Sequence, residues 1–267
     1  MDLIDTHCHL NFKAFDGDFI EVAKKSYEKG VKKIIIVGSD VNTSEKAIQV
    51  AKQINSVIAS FTKQSEFFAN VSIGTHPIHA LGADFEKIQK LSSDPLVVAL
   101  GESGLDFYHD KERKTKNEQI ELFKKHIELA IATRKPLIVH NRLADNEVRE
   151  IIEEYPRLKK AVFHCFSSDH HMARWVIEKG FYLSFTGNIT YGNKKIKKAI
   201  ERTPIERIMV ETDAPYMVPE PLRSKGIKRC EPYMCEEVIK KIALTREIDK
   251  DALADQVDRN SKKFFNL

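Results

Sequence analysis

Short apolar segments recur along the whole chain, and a longer segment with helical spacing of its apolar residues follows each of them. Several of the short segments, such as 34–37 and 96–100, are continuously apolar rather than alternating. This pattern is typical of parallel strands that are covered by helices. It predicts eight strands, at residues 3–9, 33–38, 70–74, 96–102, 136–140, 161–165, 181–185 and 207–211.

The helical pattern is clearest between the second and third predicted strands. From Ala47 to Ile58 the apolar residues recur at i, i+4, i+7 and i+11, as on the buried face of an amphipathic helix. Asn42, with Glu45 three residues further on, resembles a capping box. We therefore expect this helix to have Asn42 as its N-cap.

The alternation of strand and helix indicates the fold. Repeated eight times over most of the chain, it favours a closed (β/α)8 TIM barrel over an open doubly wound sheet. The first strand is not followed by a GxGxxG turn, which argues against a dinucleotide-binding sheet. No linker or low-complexity segment divides the chain, so we expect one domain spanning residues 1–267.

Composition narrows the class of protein. A chain of 267 residues with 42% hydrophobic content can bury a large core, which excludes a disordered protein. A formal net charge of +4 does not by itself identify a nucleic-acid binder, although it is compatible with a local anionic site. Neither a secretory leader nor a run near 18 apolar residues is present. We expect a soluble, cytoplasmic protein that does not contact membranes.

The four cysteines lack the paired spacing of a zinc site and are expected to be free thiols in a reducing compartment. Cys8 lies between two histidines, and Cys165 follows another. Because side chains alternate along a strand, both thiols are expected to face away from those histidines and not to bind metal.

Histidines and carboxylates mark the ends of the predicted strands. His7 and His9 are two residues apart, so a strand would project both imidazoles from one face. An isolated HxH is more often an ordinary core or surface pair, but later strand ends add further donors. Since all strand ends of a parallel barrel share one rim, we expect six residues to meet there: His7, His9, Glu102, His140, His164 and Asp213.

This ligand set favours two metal ions. It exceeds the four ligands of one tetrahedral zinc and suits two divalent cations that share a carboxylate. We expect His7, His9 and Asp213 on one cation, the histidines of the fifth and sixth strands on the other, and Glu102 as the bridge. Nitrogen and oxygen donors suit zinc, manganese, magnesium or cobalt. Such a pair activates water for hydrolysis, which makes Glu102 and Asp213 the predicted catalytic carboxylates.

Short motifs rich in polar residues stand at these strand ends: IDTHCHL at 4–10, GTHP at 74–77, GESGLDFY at 101–108, PLIVHNR at 136–142, FHCFS at 163–167 and ETDAPY at 211–216. With RNSKKFF at 259–265, and in this order and spacing, the motifs resemble the TatD family of metal-dependent deoxyribonucleases. The resemblance covers nearly the whole chain.

The resemblance implies a metal-dependent hydrolase of TIM-barrel fold that cleaves DNA phosphodiester bonds, commonly as a 3'-5' exonuclease. It implies two divalent cations such as Mg, Mn or Zn, and DNA as the substrate, at single-stranded or frayed ends, in DNA degradation or repair. No protein partner is expected. The family pattern gives the same six metal ligands and places His76 and Arg142 near the substrate phosphate.

The chain departs from the family pattern in two places. The usual RNEP segment is RCEP at residues 229–232, and the usual GCHPH is GTHPIH at 74–79. The second change moves His79 by one position and removes it from the predicted site. Neither change touches a predicted metal ligand.

Some polar residues have two interpretations. Asp106 could orient a ligand histidine or cap the turn after the fourth strand. The cations Arg223, Lys225, Lys228 and Arg229 follow the eighth strand, where barrels often bind phosphate, but a charged loop in solvent has the same composition.

The lysine-rich run at 193–202 fits an ordinary helix with Ile196, Ala199 and Ile200 inward and its lysines in solvent. Aromatic residues after strand ends could stack on an unpaired base or pack at the rim. They are Phe107, Tyr108, Phe166, Tyr191 and Tyr216.

Two other functions remain open. The same dinuclear site could hydrolyse an amide or an ester, because fold does not determine substrate. A non-enzymatic metal-binding or nucleic-acid-binding protein would be expected to have lost ligands, whereas the set in this chain is complete.

Overall fold

The computed structural model describes residues 2–62, 68–110 and 113–267. Its eight strands form one sheet in sequence order, with each strand parallel to the next. The first strand also contacts the segment after the last one, through a parallel bridge between Cys8 and Ala214. There His9 N–H donates to Ala214 O at 2.7 Å. The sheet thus closes, and the predicted (β/α)8 TIM barrel is confirmed.

The strands are β1 (Leu3–Cys8), β2 (Val31–Val37), β3 (Ala69–Ile73), β4 (Val97–Asp106), β5 (Leu137–Arg142), β6 (Ala161–Phe163), β7 (Tyr182–Phe185) and β8 (Ile208–Val210). The helices are α1 (Phe19–Glu28), α2 (Val41–Thr62), α3 (Phe85–Leu91), α4 (Lys116–Thr133), α5 (Asp145–Glu153), α6 (His170–Glu178), α7 (Lys194–Arg202), α8 (Cys235–Arg246) and α9 (Lys250–Phe265). Within the described part of the chain, none of these helices is both long enough and apolar enough to cross a membrane.

Strand β4 differs most from its predicted bounds. It continues to Asp106, because Ser103 to Asp106 pair with Val139 to Arg142 of β5. Glu102 therefore lies inside β4, and the prediction that it ends a strand is wrong. Strands β6 and β8 are shorter than predicted. His164 therefore lies in the loop after β6 rather than within the strand, whereas Asp213 lies beyond β8 as expected.

The predicted N-cap of α2 is also wrong. The helix begins at Val41, which places Asn42 within its first turn. Asp40 provides the capping oxygen instead, since its Oδ1 accepts the Thr43 N–H at 2.7 Å. Both residues are suitable caps, and the sequence alone did not decide between them.

The apolar residues form two layers. The larger one lies between the sheet and the helices. The smaller one fills the barrel with alternate residues of the strands, such as Ile35, Ala99 and Ile138, and with Phe264 and Phe265 of α9. These two phenylalanines occupy the end where the strands begin, which leaves polar chemistry to the opposite rim.

Candidate metal centre

The six predicted ligands meet at the carboxyl-terminal rim of the barrel, and Glu102 lies at their centre. Its Oε1 is 2.7 Å from His140 Nδ1 and 2.8 Å from His164 Nε2. Its Oε2 is 3.4 Å from His7 Nε2 and 3.9 Å from His9 Nε2. The two oxygens of one carboxylate thus face two separate pairs of histidines.

Asp213 lies on the side of His7 and His9. Its Oδ1 is 3.4 Å from His9 Nε2 and 3.7 Å from His7 Nε2. The backbone at Asp213 has a φ of 55° and is fixed where its N–H donates to His7 O at 2.9 Å. Just before it, Thr212 donates its N–H and its hydroxyl to the buried carboxyl of Asp5. Strand β1 therefore sets the position of a predicted ligand that is distant in sequence, since Thr212 and Asp5 are 207 positions apart.

Two glycines let β4 carry Glu102 so close to β5. Gly101 and Gly104 have φ values of 111° and 154°. A Cβ atom on Gly101 would lie 2.4 Å from Ile138 O, and one on Gly104 would lie 1.9 Å from His140 O. A side chain at either position would push the strands apart where both carry metal-ligand candidates.

Hydrogen bonds select which ring nitrogen of His9 and of His140 faces the centre. His9 Nδ1 is 2.9 Å from Val37 O, so it carries the proton and leaves the Nε2 lone pair for a cation. His140 Nε2 is 3.2 Å from Asp106 Oδ2, so this histidine presents Nδ1. Partners that fix the ring in this way are common around bound metals. The donor set fits divalent cations that prefer nitrogen and oxygen.

Asp106 serves both of the roles that the sequence left open. Its Oδ2 accepts from His140 and lies 2.8 Å from His109 Nδ1, while its Oδ1 accepts the backbone N–H groups of Tyr108 and His109. Although burial opposes it, these hydrogen bonds hold the pKa of Asp106 well below its usual range. An ionised Asp106 both orients His140 and caps the turn after β4.

Asp106→Asn should lower metal affinity by about 10- to 100-fold, the usual effect of removing a partner that orients a metal-ligating histidine. The variant can be titrated with Mn2+ or Zn2+ against a chelating dye. His109→Ala is the matched control, because it removes another partner of Asp106 and leaves His140 in place. Equal affinities for Asp106→Asn and the wild type would show that Asp106 only caps the turn.

His76 also faces Glu102, but as a neutral imidazole that carries its proton on Nε2. Its Nδ1 accepts the N–H of Ile78 at 3.2 Å, so the proton is on Nε2, which lies 3.4 Å from Glu102 Oε1. Burial, together with the neighbouring His140, lowers the pKa of His76 to about 3. His76 could join Asp106 and His140 in a metal-binding group by distance alone, but its tautomer makes it a neutral hydrogen-bond donor.

His126 supports the loop that carries His76, a role that no sequence pattern indicated. It lies within α4, where its Nδ1–H donates to Leu122 O at 2.9 Å. Its Nε2 accepts the N–H of Thr75 at 3.1 Å. Burial lowers the pKa of His126 to about 4. A buried neutral histidine thus holds the backbone next to His76.

The pKa of His126 predicts a loss of stability in mild acid. In the unfolded chain, His126 has its usual pKa of 6.5 and is protonated below that pH. In the folded chain its pKa is about 4, so it stays neutral until about pH 4. The stabilisation is complete above pH 6.5 and falls as the pH drops to 4, by about 3 kcal/mol in all. Urea unfolding of the wild type and of His126→Gln from pH 7 to 4 measures it. Parallel pH profiles for the two proteins would contradict the assignment.

The centre opens into a cavity of about 630 Å3. Arg142, at the end of β5, lines this cavity with its guanidinium 3.9 Å from the centre of the Tyr108 ring. His79 lines it as well, although its shifted position had removed it from the predicted site. The cavity wall therefore places one cation, Arg142, and several histidines beside the buried carboxylates of Glu102 and Asp106.

All four cysteines are free thiols. One of them, Cys165, does not face the direction that the alternation of side chains along a strand predicts. Cys165 lines the cavity, and the expectation that it faces away is wrong. Strand β6 ends at Phe163 and Cys165 has a φ of 43°, so strand alternation does not apply there. Its Sγ lies 3.5 Å from Thr186 Oγ1. Cys8 is buried as expected, with its Sγ 3.6 Å from Ile35 O.

The structure shows contacts of two charged residues, Glu211 and Arg229, that the spacing of residues in the sequence did not indicate. Glu211, two residues before Asp213, is buried, accepts the Cys165 N–H at 2.6 Å and lies 3.5 Å from His164 Nδ1. The feature of the sequence that could have indicated a role for Glu211 is its position in the ETDAPY motif, two residues before Asp213. Arg229 is bonded to Asp18 and Glu231, so it is a structural residue of its loop.

Comparison with protein families gives one match across the chain. A family described as TatD related DNase matches residues 4–266. A Bacillus subtilis protein, YabD, described as an uncharacterized metal-dependent hydrolase, is 34% identical over 270 residues that cover 99% of both chains. A protein of Erwinia tasmaniensis, described as the 3'-5' ssDNA/RNA exonuclease TatD, is 28% identical over 99% of this chain and 100% of its own.

Comparison of structures gives the same fold. The crystal structure of YJJV, a TatD homologue from Escherichia coli, superimposes with a TM-score of 0.85 over 99% of this chain and 98% of its own, at 24% identity. A TatD-family hydrolase from Entamoeba histolytica has a TM-score of 0.83 over 99% of this chain and 98% of its own, at 21% identity. These similarities support the barrel and its strand order.

Proposed function

Because the chain belongs to the family of TatD-related DNases, we propose that it hydrolyses DNA phosphodiester bonds as a 3'-5' exonuclease on single-stranded or frayed ends. The observation that carries the proposal is the position of Glu102, whose two oxygens face separate pairs of histidines. A bridging carboxylate in this position suits the two-cation hydrolysis of a phosphodiester.

The ligands fall into two groups around Glu102. We propose that His7, His9 and Asp213 hold one divalent cation. His140, within β5, and His164, just after β6, would hold the other. Glu102 contributes one oxygen to each. When bound, the two cations would lower the pKa of an attacking water and offset the negative charge of the phosphate.

The remaining residues act on the substrate directly. The neutral Nε2–H of His76 is placed to donate to a phosphate oxygen near Glu102. Arg142, whose guanidinium lies 3.9 Å from the centre of the Tyr108 ring, presents planar N–H donors that suit a phosphate. Asp213 is more exposed than Glu102, and its Oδ2 has no hydrogen-bond partner among the described side chains. We assign to that oxygen the proton released by the attacking water.

The size of the cavity supports an attack on strand ends. At about 630 Å3 it lies in the range of sites that enclose one small ligand. We propose that a single terminal nucleotide enters at a time, which requires an unpaired end. The relative from Erwinia tasmaniensis is described as a 3'-5' ssDNA/RNA exonuclease, which also supports an attack on single-stranded ends.

We also propose that the reaction takes place in the cytoplasm. The support is chemical, since all four cysteines are free thiols and reducing compartments keep thiols in that state.

The decisive assay uses single-stranded oligodeoxynucleotides labelled separately at the 5' and 3' ends. The protein is stripped with a chelator and supplied with Mg2+, Mn2+ or Zn2+. We expect metal-dependent, stepwise shortening from the 3' end and release of mononucleotides, with slower cleavage of a blunt duplex. A metal-loaded protein that leaves every DNA and RNA end intact but turns over a small ester or amide would refute the proposal.

A further inference from the structure

The loops after β7 and β8 form one packed surface beside the cavity. A Cβ atom on Gly187 would lie 1.9 Å from Met217 O, so the two backbones are in direct contact. Tyr191 donates its hydroxyl to Val218 O at 2.8 Å. We refer to residues 187–195 and 216–228 together as the platform. Its two halves are thus in contact through a close backbone approach and a hydrogen bond.

The platform is continuous with the cavity. Asn188, Tyr216 and Met217 belong to the platform, and all three line the cavity wall. The Oδ1 atom of Asn188 is buried and has no hydrogen-bond partner within the described residues. A strand that leaves the metal centre on this side passes directly onto the platform.

The exposed charges of the platform are almost all positive. They are Lys194, Lys195, Arg223, Lys225 and Lys228. Among the residues that the structure describes, none of these five forms an ion pair. The acidic residue of the two segments, Glu220, accepts hydrogen bonds from the backbone and hydroxyl of Ser224. The platform therefore carries these five cations against one carboxylate, Glu220, whose pKa is lowered by its hydrogen bonds from Ser224 and by the charge of Arg223. Its surface is positive overall.

Helix stability does not account for the lysines. Lys194 and Lys195 occupy the first turn of α7, which contains no acidic residue. Cations are unfavourable at that end, because the helix dipole is positive there. Arg229 differs from the platform cations. It directly follows the platform in sequence, but its guanidinium is bonded to the carboxylates of Asp18 and Glu231.

Aromatic rings accompany the charges. Tyr191 is 39% exposed and its ring lies 4.6 Å from the Arg223 guanidinium. Tyr216, at the border with the cavity, is 53% exposed. Positive side chains with interleaved exposed aromatic rings are the features that bind single-stranded nucleic acid without sequence preference.

We propose that the platform binds the single strand behind its terminal nucleotide, with the lysines and Arg223 on phosphates and Tyr216 and Tyr191 against bases. This inference rests on the proposed function, because it takes a single-stranded nucleic acid as the substrate. It adds a binding surface for several nucleotides outside the cavity.

A groove on the opposite side of Tyr216 is the rival path. It has a volume of about 480 Å3 and contains Lys13, Lys46 and Asp40. Lys46 is paired with Asp16 at 2.5 Å, so acidic groups offset much of the positive charge. Charge complementarity thus favours the platform over the groove.

Three double variants that each remove two positive charges separate the two paths. Lys194→Gln with Lys195→Gln, and Arg223→Gln with Lys225→Gln, change the platform, whereas Lys13→Gln with Lys46→Gln changes the groove. A fourth, Lys90→Gln with Lys125→Gln, removes two charges from α3 and α4 and controls for net charge. The metal-loaded proteins are titrated with a fluorescent phosphorothioate dodecathymidylate, which keeps its backbone charge and resists hydrolysis. Turnover of bis(p-nitrophenyl) phosphate reports on the metal centre alone.

Each platform variant should bind the dodecamer roughly tenfold more weakly at 0.1 M salt. The slope of log K against log salt should fall by about 0.7 for each lost phosphate contact. The other two variants should resemble the wild type. If the groove variant loses affinity instead, or if all four lose it equally, the platform is not the binding surface. If the wild type binds through the platform but cleaves no oligonucleotide, the proposed function is refuted, whereas the proposal that the platform binds single-stranded nucleic acid is retained.

Discussion

Glu102→Gln is expected to abolish nuclease activity while the barrel remains folded. Glutamine has the same shape but carries no charge, and its amide nitrogen cannot ligate a cation, so one side of the bridge is lost. Activity should fall by more than about 100-fold, which is the upper range for residues that only orient a ligand. The measurement is the initial rate on end-labelled single-stranded DNA at saturating metal.

Glu154→Gln provides the matched control for this experiment. Glu154 is an exposed glutamate just after α5 that pairs with Lys124, so the same chemical change should leave the rate within about twofold of the wild type. Thermal unfolding of both variants shows whether the fold is retained. A folded Glu102→Gln protein with at least one tenth of the wild-type rate would contradict a role for Glu102 between two cations.

Removal of single ligands should remove single metal ions. The wild type is expected to bind two divalent cations per chain and to lose its activity when they are chelated. His9→Ala affects the side of Glu102 Oε2, and His140→Ala affects the side of Oε1, where the distance to Nδ1 is 2.7 Å. Each variant should retain one ion, the double variant should retain none, and each single change should lower the rate by at least about 100-fold.

Metal content after exhaustive dialysis, measured by mass spectrometry, tests this partition. His170→Ala is the control for a separate group at the start of α6, formed by His170, His171 and the N-cap residue Asp169, whose ligand atoms also lie close enough together to hold a metal ion. Its metal content and its rate should match those of the wild type. One ion in the wild type, and none in both His9→Ala and His140→Ala, would indicate a mononuclear centre.

The parts of the site that follow strand geometry could be predicted from the sequence. The two-residue spacing of His7 and His9 gives a shared face, and the positions of His140 near the end of β5 and of His164 just after β6 give a shared rim. The strand order was predictable because each apolar segment pairs with the next one. The likeness to the TatD family pointed to the same ligands, and the family match confirms that likeness.

Features that depend on distant partners could not be predicted. Arg229 has the composition of a phosphate-binding loop, but its partner Asp18 lies 211 positions away. His126 looks like any residue of an amphipathic helix, although it accepts a hydrogen bond from Thr75. Cys165 breaks strand alternation through a backbone angle that no side-chain pattern encodes. Each of these is set by tertiary contacts rather than by local spacing.

The position of Phe264 and Phe265 has a consequence for biosynthesis. These two rings fill the interior of the barrel, and Asn260, also on α9, donates its amide to the carbonyls of Ile205 and Ile208. Every strand is translated before α9. While a ribosome still holds residues 250–265, the emerging barrel lacks both its internal packing and the support of its eighth strand. We expect a nascent chain arrested before α9 to be sensitive to protease and unable to retain metal, since Asp213 depends on that strand.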